Sequence, residues 1–202
     1  MLRSLGVRRE LLARAPDPAL FLPLPSPSRL PYLLWEAGIP ASRGYFCAVL
    51  HPPAGRDGEE MRAVVSALGQ VAARQGLLPV FLLFDRADRC PSARAAAAVG
   101  GRVLRLREAA DAVALLSGAH FLFAMRLHAL ILSVQAGVPA LALTLSVRED
   151  KLASFARAAG IPHLREPSET ALVSGMERLL AEGPRIRAVL PGLLAELRAG
   201  DG

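Results

Sequence analysis

The chain has 202 residues, 52% of them hydrophobic and only 5% aromatic, with a formal net charge of +6. That length suits one full domain plus an extension, with a core built from Ala, Leu and Val, and no apolar run reaches the roughly 18 residues that span a bilayer without an Arg, Gly or Pro intervening. The basic excess is almost all arginine, with Lys151 the sole lysine, and it is scattered rather than gathered into a stripe, which argues against a nucleic-acid partner.

In chain order, the Arg-rich start reads as an amphipathic helix over 1–14, since Glu10 and the leucine spacing do not suit a transit peptide or a cleaved leader. Ala15 to Pro31 is proline-rich, with Ser26 and Ser28 interspersed, and reads as a linker or extended crossing. From Gly44 the pattern alternates. A strand is predicted over Tyr45–Leu50, a helix over Glu59–Gln75, a strand over Leu78–Phe84, a helix over Ser92–Val99 and a strand over Arg102–Leu106. A helix over Ala109–Leu116, a strand over His120–Ala124, a helix over Leu127–Ala136, a strand over Ala140–Leu145 and a helix over Lys151–Ala159 follow. Two closing helices, Ser168–Glu182 and Arg185–Arg198, are separated by a Gly183-Pro184 break. Such alternation predicts an α/β fold, a parallel sheet with helices on both faces. It divides the chain into a helix and crossing over 1–40, a sheet domain over 41–182 and a C-terminal helix over 183–202.

The segment Phe121–Pro139, FLFAMRLHALILSVQAGVP, joins a strand without polar alternation to an apolar helix, with Arg126 and His128 at the junction. The first N–H groups of such a helix have no intrahelical partner and face the cleft beyond the strand ends, where the macrodipole favours an anion. Arg126 offers a planar fork for a carboxylate or phosphate, and His128 can exchange a proton near neutral pH. The residues alone leave an alternative open, in which Arg126 pairs with a local carboxylate and His128 is structural. Asp85, in the DRADR run after a strand, is a candidate proton acceptor or else part of a solvated loop; Arg148 and Lys151 flank a loop able to close over an anion. His120 and His163 read as structural, the GRDG loop over 55–58 is too short for a phosphate cradle, and Cys47 and Cys90 lack metal spacing and read as reduced thiols. No metal site and no cofactor is expected.

The string MRLHALILSVQAGVPALAL, followed by a basic cluster and FARAAGIP, resembles the C-terminal half of the polysaccharide pyruvyl transferases. Upstream, LGVRRELLARAPDPALFLPL resembles the crossing between that family's domains, with Asp17-Pro18-Ala19 as its DPA segment, so the likeness runs from about Leu5 to Pro162. The resemblance implies a Rossmann-like half of a glycosyltransferase-B-type fold. It also implies an enzyme that moves a pyruvyl group from phosphoenolpyruvate, as donor substrate, to a sugar of a cell-surface or cell-wall polysaccharide or lipid-linked glycan, leaving a ketal. By position Arg126 and His128 would bind phosphoenolpyruvate, His128 as acid and Arg126 as clamp, and Lys151 would match the family's loop lysine. His51 stands where the family has an arginine facing the substrate anion, which puts a titratable group in place of a permanent charge. The family's N-terminal half, with its GGG loop and GIGP segment, lies outside these 202 residues, so the expectation is a fragment, a subunit paired with a separately encoded half, or a divergent relative. A cytoplasmic place, with contact to anionic lipid at the inner face of the membrane, would suit a lipid-linked acceptor. The alternatives are the nucleotide-sugar-binding half of a glycosyltransferase or sugar epimerase, and a non-catalytic relic domain.

Overall fold

The computed structural model describes residues 16–52, 58–145, 151–165 and 168–199. Its six strands are β1 (Tyr45–Val49), β2 (Leu78–Leu83), β3 (Arg102–Arg105), β4 (Leu122–Ala124), β5 (Ala140–Leu143) and β6 (His163–Leu164). They form one sheet in the order β3-β2-β1-β4-β5-β6, every neighbouring pair parallel. The helices are α1 (Arg29–Glu36), α2 (Glu59–Gln75), α3 (Arg89–Val99), α4 (Ala109–Ser117), α5 (Leu127–Gln135), α6 (Lys151–Ala158) and α7 (Glu169–Ala199). This is the Rossmann-like α/β arrangement expected from the alternation.

The central strands are apolar throughout because both faces are covered. Tyr45, Cys47 and Val49 of β1, with Leu122, Ala124, Ala140 and Ala142, pack in one core with residues of α1, α4, α5 and α6. Phe46, Ala48 and Leu50, with Phe121, Phe123, Leu141 and Leu143, pack in the other with α2, α3 and α7. The first face is lined by alanines where α5 approaches; the second holds the bulk, including Phe46 stacked on Phe121 with ring centroids 4.7 Å apart. Edge strand β3 is only partly buried, which fits its arginine at each end.

Helix boundaries follow local chemistry. Two acids open α2, and Gly76 closes it at φ +64, a left-handed position that costs a side-chain-bearing residue energy. Glu108 and Asp111 form a capping box at the start of α4.

Two expectations are corrected. Residues 15–31 are more than a linker: Pro18–Phe21 forms a 3-10 turn, α1 begins at Arg29, and Leu20, Leu33 and Leu34 are buried. The break at Gly183-Pro184 does not occur, and α7 runs continuously with Pro184 and Pro191 inside it. Each proline removes one intrahelical hydrogen bond, but Leu179, Gly183 and Leu190 bury the helix around those positions. Gly183 also presents no side chain to clash with the following ring. The remaining differences are one to three residues at element ends, apart from β6, which was not expected. The predicted helix over 1–14 lies outside the described residues. Among the described residues no helix is long and apolar enough to cross a membrane.

Candidate active site

Strand order reverses between β1 and β4: from β1 the chain proceeds outward to β2 and β3, and from β4 outward to β5 and β6. The loops leaving these two strands therefore diverge and open a crevice at their carboxyl ends. His51 stands just past β1, and Arg126 just past β4 as the residue capping α5. Arg126 has an extended backbone, φ −128 and ψ 136, and no side chain caps the first turn of α5. The helix thus presents open N–H donors to the crevice.

The centre of the site is Asp88, whose side chain is fully buried. Its carboxylate accepts Arg126 Nε–H at 2.9 Å to both oxygens, and Arg126 Nη2–H at 2.7 Å. Oδ2 also accepts the backbone N–H of Phe84 at 3.2 Å and of Asp85 at 3.0 Å, and His51 Nδ1 lies 3.2 Å from Oδ1. Asp88 thus binds the ends of three strands' loops together, from β1, β2 and β4. The guanidinium is gripped along its Nε–Nη2 edge, so the Nη1–Nη2 edge is left for a ligand. The two readings left open for Arg126 coexist: it is paired with a local carboxylate, and that pairing leaves a second bidentate edge.

A cleft of about 520 Å³ is lined by His51, Asp85, Arg126, His128 and Lys151, with apolar walls from Phe84, Met125, Leu127 and Leu152. Five of the six residues singled out in the sequence therefore share one cavity; Arg148 lies outside the described residues. His128 is open to solvent, its side chain 65% exposed, with Nε2 3.8 Å from Asp17 Oδ2, a charge neighbour beyond hydrogen-bonding distance. Asp17 itself accepts Ala19 N–H at 2.9 Å, which fixes the DPA segment beside the site.

Asp85 lines the cleft and is also held by its own turn. Its carboxylate accepts Ala87 N–H at 2.9 Å in a capping box with Asp88. That backbone bond, more than the nearby Arg126 and His51 charges, holds its carboxyl below the usual carboxylate range, making it a weak base. Asp88 was missed because an acid's burial cannot be read from the letters DRADR. The D-x-x-D spacing after an apolar strand was the available signal, since a capping box turns its second acid back toward the strand end. His120 sits at the opposite sheet end, its Nδ1 3.2 Å from the Tyr45 carbonyl, as a structural residue would. Among the described residues no three His, Cys, Asp or Glu side chains are grouped to hold a metal ion.

The profile of the polysaccharide pyruvyl transferase family matches residues 1–147. The chain belongs to this family. No curated protein matches this pyruvyl transferase family member. Among solved structures, it is similar to UDP-GlcNAc 2-epimerase from Neisseria meningitidis bound to UDP-GlcNAc, at TM-score 0.67 and 15% identity over 92% of this chain and 51% of that one. A glycosyltransferase from Rickettsia africae gives TM-score 0.65 and 9% identity, over 91% and 50%. The C-terminal CMP-Kdo binding domain of WaaA from Acinetobacter baumannii gives 0.55 and 8%, over 84% and 96%. The chain thus spans about half the length of the epimerase and glycosyltransferase chains, and nearly all of the isolated domain. At these identities the likeness establishes the glycosyltransferase-B-type fold alone.

Proposed function

We propose that this domain is the donor-binding half of a polysaccharide pyruvyl transferase, using phosphoenolpyruvate to place a pyruvate ketal on a sugar of a cell-surface or cell-wall glycan. The observation that carries this reading is the meeting of Arg126, His51, His128 and Lys151 at the uncapped start of α5, around a buried aspartate that orients the first two.

The donor brings a carboxylate and a phosphate. Arg126 meets one of them with its free edge, the α5 N–H groups take oxygens of the other, Lys151 supplies further charge, and His51 faces the ligand from the cleft wall. In the reaction the enol methylene takes a proton, positive charge develops at the neighbouring carbon, and one sugar hydroxyl bonds to it as it loses its own proton. A second hydroxyl of the same sugar then displaces phosphate and closes the ketal; the two hydroxyl protons balance the new methyl hydrogen and the proton on released phosphate. His128, which lines the cleft with its side chain open to solvent, is the acid. Asp88 is a positioning residue. The acceptor, a polysaccharide or lipid-linked glycan, would arrive from the side of the cleft that faces a partner half, in the cytoplasm and near the inner membrane face.

Titration calorimetry of the chain with phosphoenolpyruvate tests this. Arg126→Lys, which puts a point charge in place of the fork, is expected to weaken binding about tenfold or more; equal affinity would remove Arg126 from the site. His128→Gln is expected to keep donor affinity within about threefold while abolishing turnover once the partner half and acceptor are supplied. The nucleotide-sugar complexes of its structural neighbours support a second reading, and preferential binding of UDP-GlcNAc over phosphoenolpyruvate would favour it.

A further inference from the structure

A second, larger cleft of about 790 Å³ lies beside the first on the same sheet edge, at the carboxyl ends of β2 and β3. Arg86, from the turn after β2, Arg89, the first residue of α3, and Arg105, the last of β3, line it together. All three are exposed, and the parallel register sets Leu83, the last residue of β2, beside Arg105. Among the described residues none of the three guanidinium groups makes an ion pair or side-chain hydrogen bond. Other arginines on this edge are committed: Arg126 to Asp88, Arg29 to Asp111 and Arg107 to Glu36. The one carboxylate in the cleft, Asp85, is engaged by the N–H of Ala87. Three forks against the single charge of Asp85 leave the concavity net positive, and a polyvalent anion relieves the repulsion among them while filling their donors.

We infer that this cleft is a second anion site, and that it holds the phosphate or diphosphate through which the glycan acceptor is presented. Phe84 and Asp85 line both clefts, so a sugar attached to an anion seated on the three arginines passes over Phe84 toward the donor cleft. The acceptor is then a glycosyl phosphate or diphosphate rather than a free neutral glycan. Naming the occupant as acceptor rests on the pyruvyl transferase reading; binding of the anion does not.

The test is calorimetry at fixed ionic strength with inorganic diphosphate, on the wild-type chain and on R89A/R105A, R126A and R102A. Arg102 begins the strand that Arg105 ends, so R102A removes the same charge from the far edge. Diphosphate affinity is expected to fall about tenfold or more in R89A/R105A and to stay within about twofold in R126A and R102A. Phosphoenolpyruvate is expected to show the reverse dependence, lost in R126A and kept in R89A/R105A. Absence of diphosphate binding, equal loss in R102A, or loss in R126A instead would overturn the second site. If diphosphate binds through Arg89 and Arg105 while phosphoenolpyruvate does not bind at all, the anion site stands and the donor reading fails. With the site established, geranyl diphosphate and UDP-GlcNAc separate the two sources of the same chemistry: the tighter ligand identifies a prenyl or a nucleoside carrier. Equal binding of all three variants to both would refute the inference.

Discussion

Replacing Asp88 by Asn keeps its size and removes its charge, which isolates what the buried carboxylate does. Two guanidinium hydrogens and one imidazole nitrogen face it, and Asn can still accept the backbone N–H groups of Phe84 and Asp85. Charge-assisted bonds contribute about 1.5–3 kcal/mol each, so the Arg126 contacts are worth about 3–6 kcal/mol before compensation. Arg126 is 24% exposed and can turn toward water, and burying a neutral amide costs less than burying a carboxylate, which brings the expected net loss to about 2–4 kcal/mol. For a chain of this size that lowers the melting temperature by roughly 5–15 °C, measurable by circular dichroism. Asp88→Ala also strands the two loop N–H groups and is expected to lose about 2 kcal/mol more. In a double-mutant cycle Asp88→Asn and Arg126→Ala are expected to couple by about 2 kcal/mol. Additivity within about 0.5 kcal/mol would refute the reasoning, because independent residues do not couple. Donor affinity gives a separate sign. Removing a negative charge from an anion site tightens binding by charge alone, so weaker phosphoenolpyruvate binding by Asp88→Asn marks lost orientation of Arg126, and tighter binding would remove the positioning role.

Two other sites test the packing around this one. A Cβ at Gly118 would stand 2.6 Å from the Tyr45 hydroxyl and 2.7 Å from Leu30 Cδ2, and that hydroxyl donates to the Leu115 carbonyl at 2.6 Å. Gly118→Ala is expected to cost about 1–3 kcal/mol by overpacking, with partial rescue by Tyr45→Phe, and a wild-type melting curve for the single variant would refute the contact. Burial pushes the Asp111 carboxyl up, but hydrogen bonds from Arg29 and from the N–H groups of Arg107 and Glu108 outweigh it and hold the group below its ordinary value. A depressed folded-state value stabilises above the unfolded carboxylate range and is lost as pH falls through it. The stability gap between wild type and Asp111→Asn is therefore expected to be constant at roughly pH 5–8 and to close below about pH 4. A gap that persists into acid would sink the assignment.

Much of the architecture was legible because the physics that sets it is local. Five of the six strands announce themselves by apolar or β-rich runs between glycine and proline stops; β6, only His163 and Leu164, is too short for any period to register. The junction at Arg126 was legible because a buried strand running directly into an apolar helix leaves one place for polar groups. Asp88 was not, because Asp85 and Asp88 are equivalent as letters and only the turn between them decides which faces inward. The continuity of α7 was hidden for a related reason. Gly183-Pro184 is a stop by propensity, and burial of Leu179 and Leu190 on either side overrides it. The start of α1 was obscured by Pro31, which a first helical turn tolerates because its N–H would have had no partner there.

Helix α7 ties the sheet to the segment that precedes α1. Arg187 donates to the carbonyls of Ala119 and Gly137, at 2.6 and 3.0 Å, beneath the strands' amino ends, while Arg198 reaches the Leu20 carbonyl at 2.8 Å. Leu20 follows Asp17 in the turn beside His128, and Gln135 holds Leu22 from the other side. The last helical turn is therefore a tie-rod anchoring a segment nearly the full chain away in sequence. A tag fused directly after Ala199, or a clone shortened by a few residues there, would slacken the wall of the cleft without touching any residue in it, and loss of activity in such a preparation would say nothing about the chemistry.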